Sequence, residues 1–350
     1  MKKIVFVTPN LANGGAEYVT SVLANEMAKR GDFVEVAYMK DEETVYRLCE
    51  KIDTCYLFSG KNRFVRILLK IIRLRKKMKE NRDAVFIAML PFETLYTHAA
   101  GIGIRPRVVY SLRNDPANMN SLVDKYIKKF VYGKADRIVF QTEEARDYFP
   151  EAVRKKGTVI PNPLSDHLPE RFPGQRKKEI AAVGRLAEQK NYPLLLRSFA
   201  NVHKIHPEWK LRIYGKGGLE QELRELCAEL GISRAAEFCG FVPDAAERIN
   251  QSGMFVMSSD YEGLSNAMLD ALATGVPCIC TDCPAGGARM MIRDHINGIL
   301  VPPGDERKMT EAMLELIESP ETADAISRKA VEIRDILSAE KITEKWRRLL

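Results

Sequence analysis

Short runs of β-branched and apolar residues alternate with stretches of helical periodicity from one end of the chain to the other. That alternation restricts the fold to parallel sheets with helices packed on both faces. In the first half the runs fall at 3–8, 33–38, 84–90, 107–111 and 137–141, with helical stretches such as 17–29 and 122–132 between them. After Thr158-Val159-Ile160 the chain reads Pro161-Asn162-Pro163-Leu164 and then a polar, proline-bearing stretch as far as Lys178. Proline lacks a backbone donor and fixes φ, so a domain boundary is expected there. The pattern restarts at 180–183 and continues through 211–214, 237–239, 254–257, 278–281 and 299–301. Two doubly wound α/β domains are expected, 1–164 and 165–350. The last helical stretch, 333–350, is free to pack on its own domain or to cross back over the first.

Length and composition fit this organisation. With 350 residues, 45% hydrophobic and 29% charged, the chain is too apolar for disorder, and 22 Gly and 17 Pro exclude a collagen-like or low-complexity chain. Seven cysteines are spread along it, and no His or second Cys pair completes a zinc spacing around Cys278, Cys280 and Cys283. Reduced thiols and no metal are expected. No run of about 18 apolar residues is present to span a bilayer, and Pro9, Asn10 and Asn13 interrupt the apolar start before it reaches the length of a signal sequence. A cytoplasmic location is expected.

Charge is uneven. Residues 1–170 hold 29 Lys and Arg against 21 Asp and Glu, whereas residues 171–350 hold 25 against 26. Much of the excess lies between Lys61 and Arg82, where ten basic residues face one acid, Glu80. The segment 63–82 reads as an amphipathic helix, with Phe64, Ile67, Leu68, Ile71 and Met78 on one side and Arg66, Lys70, Arg73 and Lys77 opposite. The apolar stripe is expected to cover the sheet. The cations are expected to attract an anionic membrane surface, giving peripheral association. Nucleic acid is not expected as the polyanion, because no aromatic interleaving or recognisable module accompanies the basic residues.

In doubly wound domains the working groups sit on loops at the carboxyl ends of the strands. The first such loop holds Gly14-Gly15-Ala16-Glu17 at a helix start, where glycines let backbone N–H groups approach an anion. A bare turn explains these glycines equally, and the spacing does not match the dinucleotide fingerprint. In the second half, Gly184-Arg185-Leu186 and Lys190 place two cations five positions apart, a fork and a point charge suited to a diphosphate or to plain solvent exposure. Gly215-Lys216-Gly217-Gly218 follows the next strand. Then come Glu262, the expected helix start Gly263-Leu264-Ser265-Asn266, and Asp270 further along it. Free N–H groups there suit a phosphate, and the two carboxylates suit sugar hydroxyls.

Together these residues, with the linker Ile160-Pro161-Asn162-Pro163, resemble the retaining glycosyltransferases of family 4 over nearly the whole chain. The resemblance implies the GT-B fold, two Rossmann-like domains facing a central cleft, with acceptor bound by the first and donor nucleotide sugar by the second. It gives Arg185 and Lys190 to the donor diphosphate, Glu262 to the hydroxyls of the donor sugar and Asp270 to the ribose. Gly14, Gly15, Gly184, Gly215, Gly263, Leu264, Ser265 and Asn266 complete the expected donor site, and Glu262, Arg185 and Lys190 are the expected catalytic set. Asp270 departs from the usual Glu by one methylene. Where many relatives carry a His, the chain reads Ser111-Leu112-Arg113-Asn114-Asp115-Pro116, leaving Arg113 and Asn114 as acceptor-side candidates. This loop and Thr281-Asp282-Cys283-Pro284-Ala285-Gly286-Gly287-Ala288-Arg289 look like those of the subgroup that extends lipid-linked oligosaccharides and surface polysaccharides.

The expected activity is therefore metal-independent transfer of a hexose or N-acetylhexosamine from a UDP-sugar, with no other cofactor, to a polyprenyl-linked saccharide or polysaccharide acceptor. No Asp-x-Asp pair is present to hold a metal against the diphosphate. A nucleotide-sugar epimerase of similar fold, and a nucleotide-sugar-binding protein without catalysis, are the alternatives.

Overall fold

A computed structural model describes residues 1–12, 14–40, 44–58, 63–165 and 167–350, with Arg63 described by its backbone alone. Asn13 and Lys61 lie outside the described residues. The chain folds as two units, Met1–Pro163 with Leu337–Leu350, and Leu164–Ile336.

The first unit runs β1 (Lys3–Thr8), α1 (Gly15–Lys29), β2 (Phe33–Tyr38), β3 (Asp53–Tyr56), α2 (Arg63–Glu80), β4 (Val85–Ala88), α3 (Pro91–Gly101), β5 (Arg107–Ser111), α4 (Leu122–Tyr126), β6 (Arg137–Phe140), α5 (Glu143–Asp147), α6 (Glu151–Arg154) and β7 (Gly157–Val159). The strands form one parallel sheet in the order β3-β2-β1-β4-β5-β6-β7. Its order reverses between β1 and β4, so the loops after these two strands diverge and leave room for a ligand at their carboxyl ends. Ile4 to Val7 and Val85 to Ala88 are buried on both sides, which is why these central strands read as continuous apolar runs.

Leu74 and Met78 of α2, Ala100 of α3, and Ile127 and Val131 pack with Val5, Phe86, Tyr110 and Phe140 on one face of that sheet. The apolar stripe of α2 only partly reaches this core. Leu74 and Met78 are fully buried, but Phe64 is 81% exposed, Leu68 58% and Ile72 50%. The sequence expectation that the whole stripe covers the sheet is corrected accordingly: the last turns of the helix do so, and its first turns present apolar side chains outward among cations.

Two other helical expectations are modified. The stretch 122–132 is α-helical only to Tyr126, after which Ile127–Val131 forms a wider turn that buries Ile127 and Val131. The stretch 333–350 breaks at Ser338, whose Oγ accepts from the Lys341 N–H at 3.3 Å and so starts a new helix.

The second unit contains β8 (Lys177–Val183), α7 (Tyr192–Ile205), β9 (Lys210–Tyr214), α8 (Glu220–Glu229), β10 (Ala236–Gly240), α9 (Ala245–Ile249), β11 (Ser252–Met257), α10 (Asn266–Ala273), β12 (Cys278–Thr281), α11 (Gly287–Met291), β13 (Ile299–Val301), α12 (Glu306–Glu318) and α13 (Pro320–Ala330), and the chain then enters α14 (Ile333–Leu337). Its parallel sheet has the order β10-β9-β8-β11-β12-β13, again reversing beside the first strand. Ile180, Ala182, Leu211, Ile213, Met254 and Val256 form the core with α7, α8 and α12.

The last helix, α15 (Ala339–Leu349), packs in the first unit against α1. Trp346 and Ile342 are fully buried, and Arg347 donates to Asp32 at 2.7 and 3.1 Å. All seven cysteines are free thiols, and among the described residues no helix is long and apolar enough to cross a membrane.

Candidate active site

In the second unit the loops after β8, β9, β11 and β12 are drawn together by backbone contacts that only glycine permits. A Cβ on Gly215, whose φ is +154°, would stand 1.8 Å from the Gly184 carbonyl oxygen, and one on Gly217 would stand 2.1 Å from that of Leu186. The two loops are also joined by Gly184 N–H to Tyr214 O at 2.9 Å and Leu186 N–H to Lys216 O at 3.1 Å. On the other side, a Cβ on Gly287 would meet the Gly263 carbonyl oxygen at 1.8 Å, so the loop after β12 presses against the one after β11. Glycine at these positions is a packing requirement.

Charged groups line this edge. Lys190 ends a short turn, Glu188–Lys190, and its ammonium forms an ion pair with the Glu262 carboxylate. Both side chains are largely buried, 15% and 12% exposed, and Ser259 Oγ also donates to Glu262 Oε1 at 3.0 Å. The turn is fixed by Ser258 Oγ donating to Lys190 O at 2.8 Å, Gln189 Nε2 to Tyr261 O at 2.9 Å and Asn191 Nδ2 to Asp260 Oδ1 at 2.7 Å. Asn191 itself takes a left-handed conformation and caps α7 through Leu194 N–H at 3.2 Å. Lys190 is therefore a positioned cation, not a solvated surface charge. Arg185 differs: its side chain is exposed and has no hydrogen-bond or ion-pair partner among the described residues.

The sequence starts a helix at Gly263; the structure starts α10 at Asn266, with Ser265 as its cap, accepting from Met268 N–H at 3.4 Å. Gly263 and Leu264 are thus loop residues, and Asp270 lies just over one turn into α10. As a whole Asp270 is half-buried, but its Oδ1 is sealed from solvent with no partner among the described residues. Burial pushes its carboxyl up to about 7. Arg185, Lys190, Gly215, Glu262 to Asn266 and Asp270 belong to one unit and one edge of its sheet.

Gly14, Gly15, Arg113 and Asn114 belong to the first unit. Gly14 caps α1, and a Cβ there would meet the Glu17 carboxylate, which folds back over it, at 2.0 Å. Arg113 Nη1 donates to Asn162 Oδ1 at 2.6 Å, and its guanidinium lies 5.7 Å from the Trp346 ring centre. Burial among these neutral partners lowers its pKa to about 9. Asn114 is half-buried, its Oδ1 accepting from Asp115 N–H at 2.9 Å.

Sequence reasoning missed Ser259, which orients Glu262, and Glu93 at the start of α3. Glu93 is 5% exposed. An acid directly after an apolar strand was the signal available for it.

Two family models match, Glycosyltransferase Family 4 over residues 13–167 and Glycosyl transferases group 1 over residues 166–332. Among curated proteins, a Campylobacter jejuni GalNAc-alpha-(1->4)-GalNAc-alpha-(1->3)-diNAcBac-PP-undecaprenol alpha-1,4-N-acetyl-D-galactosaminyltransferase is 25% identical, covering 100% of this chain and 98% of that one. The amylovoran biosynthesis glycosyltransferase AmsD of Erwinia amylovora is 26% identical with 100% of each covered. Among solved structures, Anabaena HepE in complex with UDP and glucose superposes with a TM-score of 0.85 at 16% identity, covering 99% of each chain, which establishes a shared GT-B fold. The two family models adjoin and together take in residues 13–332, and the chain belongs to the glycosyltransferases they describe.

Proposed function

We propose that the protein transfers a hexose or N-acetylhexosamine from a UDP-sugar to a lipid-linked oligosaccharide or surface-polysaccharide acceptor, with retention of the anomeric configuration and without a metal. The buried Lys190–Glu262 pair, together with Arg185, exposed and without a hydrogen-bond or ion-pair partner among the described residues, carries this reading. Arg185 takes the diphosphate as a fork in this reading, while Lys190, already desolvated, supplies a preorganised charge for the phosphate oxygen that leaves. Glu262, held by Lys190 and Ser259, accepts from hydroxyls of the donor sugar, and Asp270 Oδ1 accepts from the ribose. The acceptor oxygen attacks the anomeric carbon from the face the diphosphate departs, the bond from that carbon to the phosphate oxygen breaks, and the leaving oxygen takes the acceptor's proton, releasing UDP. The undecaprenol-linked saccharide named for the Campylobacter relative, the amylovoran biosynthesis of the Erwinia one and the UDP bound to HepE support the substrate classes. The outward apolar and basic start of α2 supports peripheral attachment to an anionic membrane.

The test is donor turnover in EDTA across UDP-hexoses, UDP-N-acetylhexosamines and GDP-mannose, followed by proton NMR of the product. Selective UDP-sugar use and an anomeric coupling matching the donor's support the reading. Turnover to an isomeric nucleotide sugar without acceptor gives the epimerase instead, and full transfer by the Arg185→Ala, Lys190→Ala double variant would falsify the assigned site.

A further inference from the structure

The donor chemistry leaves the buried carboxyls of the first unit unused; Glu26 is held by Arg30, Asp32 by Arg347 and Asp115 by Asn118, whereas Glu93 has no such side-chain partner among the described residues. Glu93 sits on the first turn of α3, directly beyond β4, at the edge where the sheet order reverses. It is 95% buried, and no other side chain among the described residues hydrogen-bonds to it. The charges that reach it come from three other segments: Glu17 on the first turn of α1, Lys40 just past β2 and Lys70 on α2. Lys70 in turn lies 5.7 Å over the ring of Tyr96, one turn along α3 from Glu93. The same buried face of α3 carries Thr94 and Thr97, whose hydroxyls find no partner among the described residues.

A carboxyl removed from water without an ion-pair or side-chain partner is costly to hold. Two carboxyls, two ammonium groups and an aromatic ring gathered near the strand ends where the sheet order reverses have the composition of a sugar site: acceptors and donors for hydroxyls beside an apolar face. We propose that Glu93, with Glu17, Lys40 and Lys70 around it, forms a saccharide subsite of the first unit, in which Glu93 accepts a hydrogen bond from a hydroxyl of the acceptor sugar. This rests on the glycosyltransferase reading above and adds the residue that recognises the acceptor. Burial pushes the Glu93 carboxyl up to about 7, so it becomes the stronger, ionised acceptor as pH rises through neutrality.

The test compares wild type, Glu93→Ala and Glu93→Gln with N-acetylgalactosaminyl-diphospho-undecaprenol and its N-acetylglucosaminyl counterpart as acceptor probes. Three quantities are read: kcat/KM for the acceptor between pH 6 and 8.5, slow hydrolysis of the UDP-sugar without acceptor, and the shift in Tm produced by UDP. Glu93→Ala is expected to lower kcat/KM for the acceptor at least tenfold, with donor hydrolysis and the UDP shift within twofold of wild type. Glu93→Gln is expected to recover part of the loss and to abolish the rise of kcat/KM with pH. Acceptor kinetics within twofold of wild type in both variants overturn the proposal. So does a parallel fall in donor hydrolysis, which marks a merely structural carboxyl. If wild type transfers sugar to neither probe, the transferase reading for lipid-linked acceptors fails at that earlier step, and this subsite fails with it.

Discussion

Asp270 shows at the scale of one residue how burial ties stability to ligand binding. The folded chain holds its proton up to about pH 7, whereas an ordinary aspartate releases it at 3.8. The stabilising preference for the neutral form is therefore complete below pH 4 and is lost as pH rises to 7. At about 1.4 kcal/mol per unit, the ionised carboxyl costs the ligand-free protein a few kcal/mol at pH 8. Asp270→Asn is expected to raise Tm at pH 8, to change it little at pH 4.5, and to weaken UDP binding about tenfold or more by removing a charged acceptor. Melting curves at the two pH values and a UDP titration check this, and an equal Tm change at both pH values contradicts it. Glu262 and Asp270 were legible as carboxylates at a loop and a helix. That one is paired by Lys190 while the other keeps a buried Oδ1 with no partner among the described residues was not, because pairing depends on a turn 72 residues away in the chain.

Among the elements, α2 is the one whose two ends differ most plainly in burial. Its end at Leu74 and Met78 is core, and its start exposes Leu68 and Ile72 beside Arg66 and Lys70. Under the proposed peripheral attachment, a bilayer surface would recover apolar burial there, and each basic residue near anionic lipid would contribute about 1 kcal/mol. Co-sedimentation with vesicles containing phosphatidylglycerol is expected to fall with salt. It is also expected to fall about tenfold or more in a Leu68→Asp, Ile72→Asp variant whose Tm stays near wild type, since both side chains are outside the core. A drop in Tm of many degrees places them in the core instead. Helical periodicity located the stripe but not its exposure, since period alone does not say how far a helix extends past its sheet. The edge strands β3 and β7 escaped detection for a related reason. Neither is fully covered, so Asp53-Thr54-Cys55-Tyr56 and Gly157-Thr158-Val159 lack the continuous apolar pattern of the central strands.

For the molecule as a whole, α15 ties the end of the chain to its beginning. Trp346 is buried completely, Arg347 holds the buried carboxylate of Asp32, and Arg30 donates to Glu344 at 3.2 Å. Trp346→Ala is expected to cost about 3–5 kcal/mol. Hydrogen exchange is the measurement that resolves where: protection should fall in α1, β2 and the Arg113 loop, while β8, α7 and α10 of the second unit keep theirs. Uniform loss across both units contradicts the assignment of α15 to the first.

The sequence by itself determined the two parallel sheets, most of the central strands, the boundary at Pro161–Pro163 and the residue types that gather at the strand ends. These follow from local patterning, from proline's missing donor and from the burial of central strands on both faces. Only the tertiary structure decided which unit α15 joins, how far α2 lies outside the core, and which carboxyls are paired. Each of those depends on groups far apart in the chain arriving at one place, and on whether water remains there once they do.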